Sequence, residues 1–140
     1  MRQYGGRVHF TRSREVVFDY LVDPRNRPEW QSSLRRVSSV VGEVGVGQTW
    51  VDETKPGIEP RMRTTEYERP VRWSESGTWR FVRAVLTLEL EDADGGGTRV
   101  EYSFRIHALG PLGTLASALS VRAVGSDLRR AASRLAKPST

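Results

Sequence analysis

Glu75 stands two residues after Trp73 and four before Trp79, and in an extended chain all three side chains project to the same side. A carboxylate confined among indoles loses its hydration, which penalises the charged form and raises its pKa toward neutrality. Such a carboxyl can give or take a proton, as cyclisation, dehydration or aromatisation of a carbonyl-rich substrate requires. Tyr102 is the second polar group on an otherwise apolar face. Its phenol can donate to a ligand carbonyl, or instead to backbone or water. For Glu75 two placements stay open: enclosed among the tryptophans, or at a wet rim if its strand twists or ends near Ser76-Gly77.

Other chemistries find little support. The chain has no cysteine, which removes thiol nucleophiles, disulfides and thiolate metal sites, and it has only two histidines. His9 and His107 fall on outward strand positions, with room at most for an adventitious metal, so no metal and no cofactor are expected. Gly42 to Gly47, GEVGVG, leads into QTWVDE, which reads as strand; a dinucleotide loop must open a helix, so this is a turn. The net charge is +5 and the pI about 10.2, with lysine only at Lys55 and Lys137. Acids are interleaved with the arginines along most of the chain, and Phe81 is the one aromatic on the face carrying Arg7, Arg83, Arg99 and Arg105. That disfavours nucleic acid.

The elements that must position Glu75 and Tyr102 follow from periodicity. Tyr4 to Thr11 alternates as a half-buried strand, and Ser13 caps a helix whose apolar face is Val17, Phe18, Tyr20 and Leu21. Asp23 caps and Pro24 opens a second short helix, with Pro28 limiting its length, so DPRNRPEW is a rigid corner that presents Trp30. Strands are expected around Val37 to Val41, Gln48 to Thr54 and Arg61 to Glu68, then one carrying Val71, Trp73, Glu75 and Trp79. A long hairpin follows: Val82, Ala84, Leu86, Leu88 and Leu90 face the same way as Val100, Tyr102, Phe104, Ile106 and Ala108, across a DADGGG turn. After Pro111 the period becomes helical, with one stripe of Val121, Val124, Leu128, Ala131 and Leu135. Leu112, Leu115 and Leu119 fall nearly opposite that stripe. Either the helix kinks near Ser117 to Val121 or PLGTLASAL packs separately, as core, as a lid, or as a surface for membrane contact or self-association.

The expected architecture is α+β: one domain over residues 1–137 with a polar tail at 138–140. A curved antiparallel sheet of about six to seven strands wraps a long C-terminal helix, with two short helices after the first strand. A helix about 10 Å wide cannot fill such a sheet, so a hydrophobic cavity is expected between them. Its walls are assigned to Trp73, Trp79, Leu86, Leu88, Phe104, Val121, Val124 and Leu128; Trp50 and Tyr67 line or rim it, though alternation leaves their facing open.

The stretch SREVVFDYLVDPRNRPEW, Ser13 to Trp30, resembles the opening of the START-like SRPBCC superfamily, polyketide cyclase/dehydrase branch, where V-F-x-x-L precedes D-P-x-x-x-P-x-W. Glu68-Arg69-Pro70, GGTRVEY at Gly96 to Tyr102 and GPLG at Gly110 to Gly113 extend the resemblance over essentially the whole chain. It implies the helix-grip fold, with Trp30 closing the cavity floor or packing at a corner. For function it implies binding or transport of a lipid-like, polyketide or aromatic molecule, or alternatively an aromatase/cyclase using Glu75 and Tyr102. A toxin-like or partner-binding protein acting through its basic surface is a third class within the superfamily. A cytoplasmic setting is expected from the lack of a long apolar run; the oligomeric state stays open.

Overall fold

The computed structural model describes the backbone of residues 2–55, 57–108 and 112–136, and the side chains of all these except 2–3, 108 and 112–123. Seven strands form one antiparallel sheet: β1 (Arg2–Phe10), β2 (Leu34–Val41), β3 (Thr49–Thr54), β4 (Arg61–Glu68), β5 (Arg72–Trp79), β6 (Val82–Asp92) and β7 (Thr98–Ala108). Their order is β1-β7-β6-β5-β4-β3-β2, so β2 to β7 run as a meander and β1 closes on β7. Short connections permit only this antiparallel arrangement. GEVGVG is the β2–β3 turn, and its glycines 42, 45 and 47 take positive φ that other residues rarely adopt.

Helix α1 (Arg14–Val22) starts where Ser13 Oγ accepts from the Val16 N–H, with Glu15 in the first turn. Its buried face is Val17, Phe18, Leu21 and Val22. It covers one end of the concave face: Arg14 pairs with Asp92 at the end of β6, and Phe18 meets Tyr67 edge-on with ring centroids 5.3 Å apart. The corner differs from its expected form. Asp23 accepts from the Arg25 N–H and Pro24 opens a 3-10 turn (Pro24–Asn26), which leads directly into α2 (Arg27–Trp30); Pro28 stands at the start of α2 rather than at its end. Each proline occupies a first-turn position where its missing N–H costs nothing.

Helix α3 (Leu112–Ala136) is one element of 25 residues. Leu128 and Ala131 of its stripe are buried, with Val124 and Leu135 half-buried against the core. The side chains of Leu112, Leu115, Leu119 and Val121 lie outside the described residues. The helix packs on β1, β7 and α2. Gly6 of β1 and Gly125 of α3 form a slot for the Tyr102 ring: a Cβ on either would stand 2.6 Å or 2.8 Å from the phenol oxygen. The two histidines do not meet. In the β1–β7 register His9 faces Arg99, and His107 is eight residues further along β7, about 26 Å away. No cluster of three metal-ligating side chains occurs among the described residues, and no helix among them is long and apolar enough to cross a membrane.

Candidate functional site

Between the sheet and α3 lies a cavity of about 320 Å³, the lower end of the range for small-molecule sites. Inward residues of β4 to β7, chiefly Met62, Trp79, Ala84, Leu86, Phe104 and Ile106, make its apolar wall; Val124 and Leu128 of α3 close it. Exposed Ile58 and half-exposed Trp79 and Val82 mark its mouth. The opposite end is charged. Arg27, Asp52, Glu75 and Asp127 line it, all at 5% exposure or less.

The Arg27 guanidinium organises this end. It grips Asp52 with Nε–Oδ1 at 3.2 Å and Nη2–Oδ2 at 2.7 Å, and it donates from Nη1 to Glu75 Oε2 at 2.9 Å. Trp50 Nε1–H donates to Asp52 Oδ1 at 2.9 Å. The cation lies 5.3 Å from the Trp50 ring centroid and 5.8 Å from that of Trp30, within cation–π range of both. From α3, Asp127 accepts from the Ser32 backbone N–H and hydroxyl at 3.1 and 2.8 Å, tying the helix to the segment after α2.

Two carboxylates thus share one cation, and burial decides how they titrate. Desolvation pushes Glu75 up to about 7; Arg27 pulls it down and the negative charge of Asp52 pushes it further up. Burial alone would lower the pKa of Arg27, but its two acidic partners more than offset this and hold it protonated. Asp127 is also raised by burial, against the hydrogen bonds from Ser32 that favour its charged form. The end of the cavity therefore holds a carboxyl that exchanges its proton near neutrality beside a fixed positive charge.

Glu75 is enclosed, not at a wet rim. With Trp30, Trp79, Leu86, Phe104, Val124 and Leu128 it borders the cavity. Trp50 faces inward and braces Asp52. Trp73, Leu88 and Tyr67 pack in or against the solid core instead, away from the lining. Tyr102 does not join Glu75: it opposes Leu88, one cross-strand row away from the Phe104–Leu86–Glu75 row, and its ring is held toward β1 by the glycine slot. Arg27, Asp52 and Asp127 went unnoticed in the sequence.

The sequence profile described as polyketide cyclase/dehydrase and lipid transport matches residues 1–139. The chain belongs to that family. The chain shares its fold with proteins of low sequence identity. XoxI from Bacillus cereus is 13% identical over 96% of both chains, with a TM-score of 0.79. The MLL2253 protein of Mesorhizobium loti is 14% identical over 99% of this chain and 100% of its own, at 0.80. Ara h 8.0201 is 15% identical over 97% and 99%, at 0.73, which marks the fold as Bet v 1-like. No protein of curated function matches the chain by sequence. Family and fold both fit the binding of a hydrophobic small molecule.

Proposed function

We propose that the protein encloses a hydrophobic small molecule, lipid-like, polyketide or aromatic, with one neutral polar group turned toward Glu75. The supporting observation is the cavity itself: apolar walls ending in a buried, ion-paired carboxyl with a pKa of about 7. The charge at that end narrows the ligand. The one guanidinium is already paired with Asp52 and Glu75, and Asp127 lines the same end, so a fatty-acid carboxylate pointing inward meets repulsion and unreturned desolvation. A hydroxyl suits the site in either protonation state of Glu75, donating to the carboxylate or accepting from the acid, and a ketone suits the protonated form, from which it accepts.

A neutral fluorescent probe such as N-phenyl-1-naphthylamine tests this. It is expected to brighten in the wild-type protein and to be excluded by Ala84→Phe, which projects a ring into the space. Equal brightening in both proteins would remove the cavity from consideration, and native mass spectrometry of protein from its own host would then show whether any ligand co-purifies.

The pKa of Glu75 also favours a second reading, in which the bound molecule is a polyketide and Glu75 transfers the proton that cyclisation or dehydration requires. Tyr102 takes no part in this version. Glu75→Gln separates the two: a carrier keeps its affinity and loses nothing else, whereas an enzyme keeps affinity and loses turnover.

A further inference from the structure

The outer face of the sheet is divided by charge. At the end near the β6–β7 turn, the row Glu68–Arg72–Glu89–Glu101–Arg7 crosses the strands, followed by Glu91–Arg99–His9. Here arginines are engaged: Arg72 bridges Glu66 and Glu89, and Arg99 holds Glu91. At the cavity-mouth end the rows read Arg63–Ser76–Val85–Arg105 and Arg61–Thr78–Arg83–His107, without a single acid. Arg61, Arg63, Arg83 and Arg105 are all exposed and make no ion pair among the described residues. They alternate with Met62, Ala84 and Ile106, which line the cavity from the inner side of the same strands.

The lip of this end is apolar. Phe81 is 74% exposed in the two-residue β5–β6 turn, beside Arg80, whose guanidinium stacks 4.7 Å from the Trp79 ring centroid. Exposed Ile58 stands on the segment before β4. Of the acids on neighbouring elements, Glu53 is held by Arg36, and Glu59 belongs to the same segment as Ile58. Four cations spread over about 14 Å, three strand spacings, match a plane of lipid phosphates. A lone ring at the lip suits insertion among acyl chains; single-stranded nucleic acid would call for several stacking aromatics.

We propose that the arginine-covered mouth end of the sheet, with Phe81 at its lip, docks the protein on an anionic phospholipid bilayer. The cavity mouth then opens against the membrane. This surface is separate from the ligand proposal, and either stands if the other fails.

Co-sedimentation with phosphatidylcholine vesicles containing about one third phosphatidylglycerol tests it. Wild-type protein is expected to bind these and not pure phosphatidylcholine, with binding weakened as salt rises from about 0.05 to about 0.2 M. Arg61, Arg63, Arg83 and Arg105 changed together to Gln should weaken binding by about 100-fold or more, at about fivefold per arginine. The same four changed to Lys should retain it, and Phe81→Ser should lose about tenfold. A control with Arg7, Arg25, Arg129 and Arg130 changed to Gln has the same net charge and should bind close to wild type. Equal losses in patch and control variants, indifference to anionic lipid, or binding to single-stranded RNA without binding to vesicles would each overturn the proposal.

Discussion

Two rows of the same concave face behave oppositely. Tyr67–Trp73–Leu88–Tyr102–Gly6 runs across five strands as packed interior, large side chains in its middle and α1 over one end. Two rows on, Met62–Gly77–Ala84–Ile106 faces empty space. Strands β5, β6 and β7 alternate identically through both, and a bulge between Thr64 and Glu66 of β4 lets Met62 and Tyr67 both face inward. Side-chain volume and what lies overhead make the difference: indole and leucine against glycine and alanine, α1 packed close against α3 held off across the cavity. Between them the Thr64–Glu75–Leu86–Phe104 row holds the carboxyl, so the charge stands at the border of solid and hollow. An apolar inner face is therefore no sign of a pocket by itself; small residues in the middle strands and a lone cover are.

The strongest way to break the comparison is at the border. Arg27→Met leaves Asp52 and Glu75 buried without their cation and should destabilise the fold by about 3–5 kcal/mol in denaturant unfolding. Adding Asp52→Asn and Glu75→Gln to it should recover most of that loss. Next, Leu88→Ala in the packed row should cost about 2–5 kcal/mol, while Leu86→Ala, beside existing space, should cost roughly half as much.

The border also responds to pH. Glu75 rises from an ordinary 4.5 to about 7 on folding, so between those values the folded protein holds more protons than the unfolded chain. Stability must then fall as pH increases through that window, by on the order of 3 kcal/mol for Glu75, with Asp127 acting in the same direction. Asp19, Glu53 and Glu91 are shifted downward, so the stability they add is already present above their unfolded pKa values. Thermal melts of Glu75→Gln should show a flattened slope over the same range. Smallest is the pair Ala84→Phe and Ala131→Phe: the first should change stability by about 1 kcal/mol or less, whereas the second overpacks the solid side and should cost about 1–3 kcal/mol.

Much of this was legible in the sequence. Alternation in β6 and β7 placed their inner rows, and the capped segment after β1 placed the corner. The cation was not. Arg27 precedes Trp30 by three, which on a helical turn gives both residues the same face, and Asp52 shares its strand face with Trp50 as Glu75 does with Trp73. Two acids on inward faces demand a buried counter-charge, and that bookkeeping points to the arginine beside Trp30. The placement of Tyr102 was out of reach, because alternation reports which side of a sheet a ring takes and not where along the strands a neighbouring helix leaves room for it.

Gly6 and Gly125 bear on the cavity from a distance. By letting the Tyr102 phenol sit between strand and helix, they let α3 pack close on β1 and β7 while the cavity separates it from the middle strands. A single methyl added at either position would stand under 3 Å from that phenol oxygen, so the ring or the rod would have to give way. Internal room in this protein is thus adjustable from residues no guest ever touches.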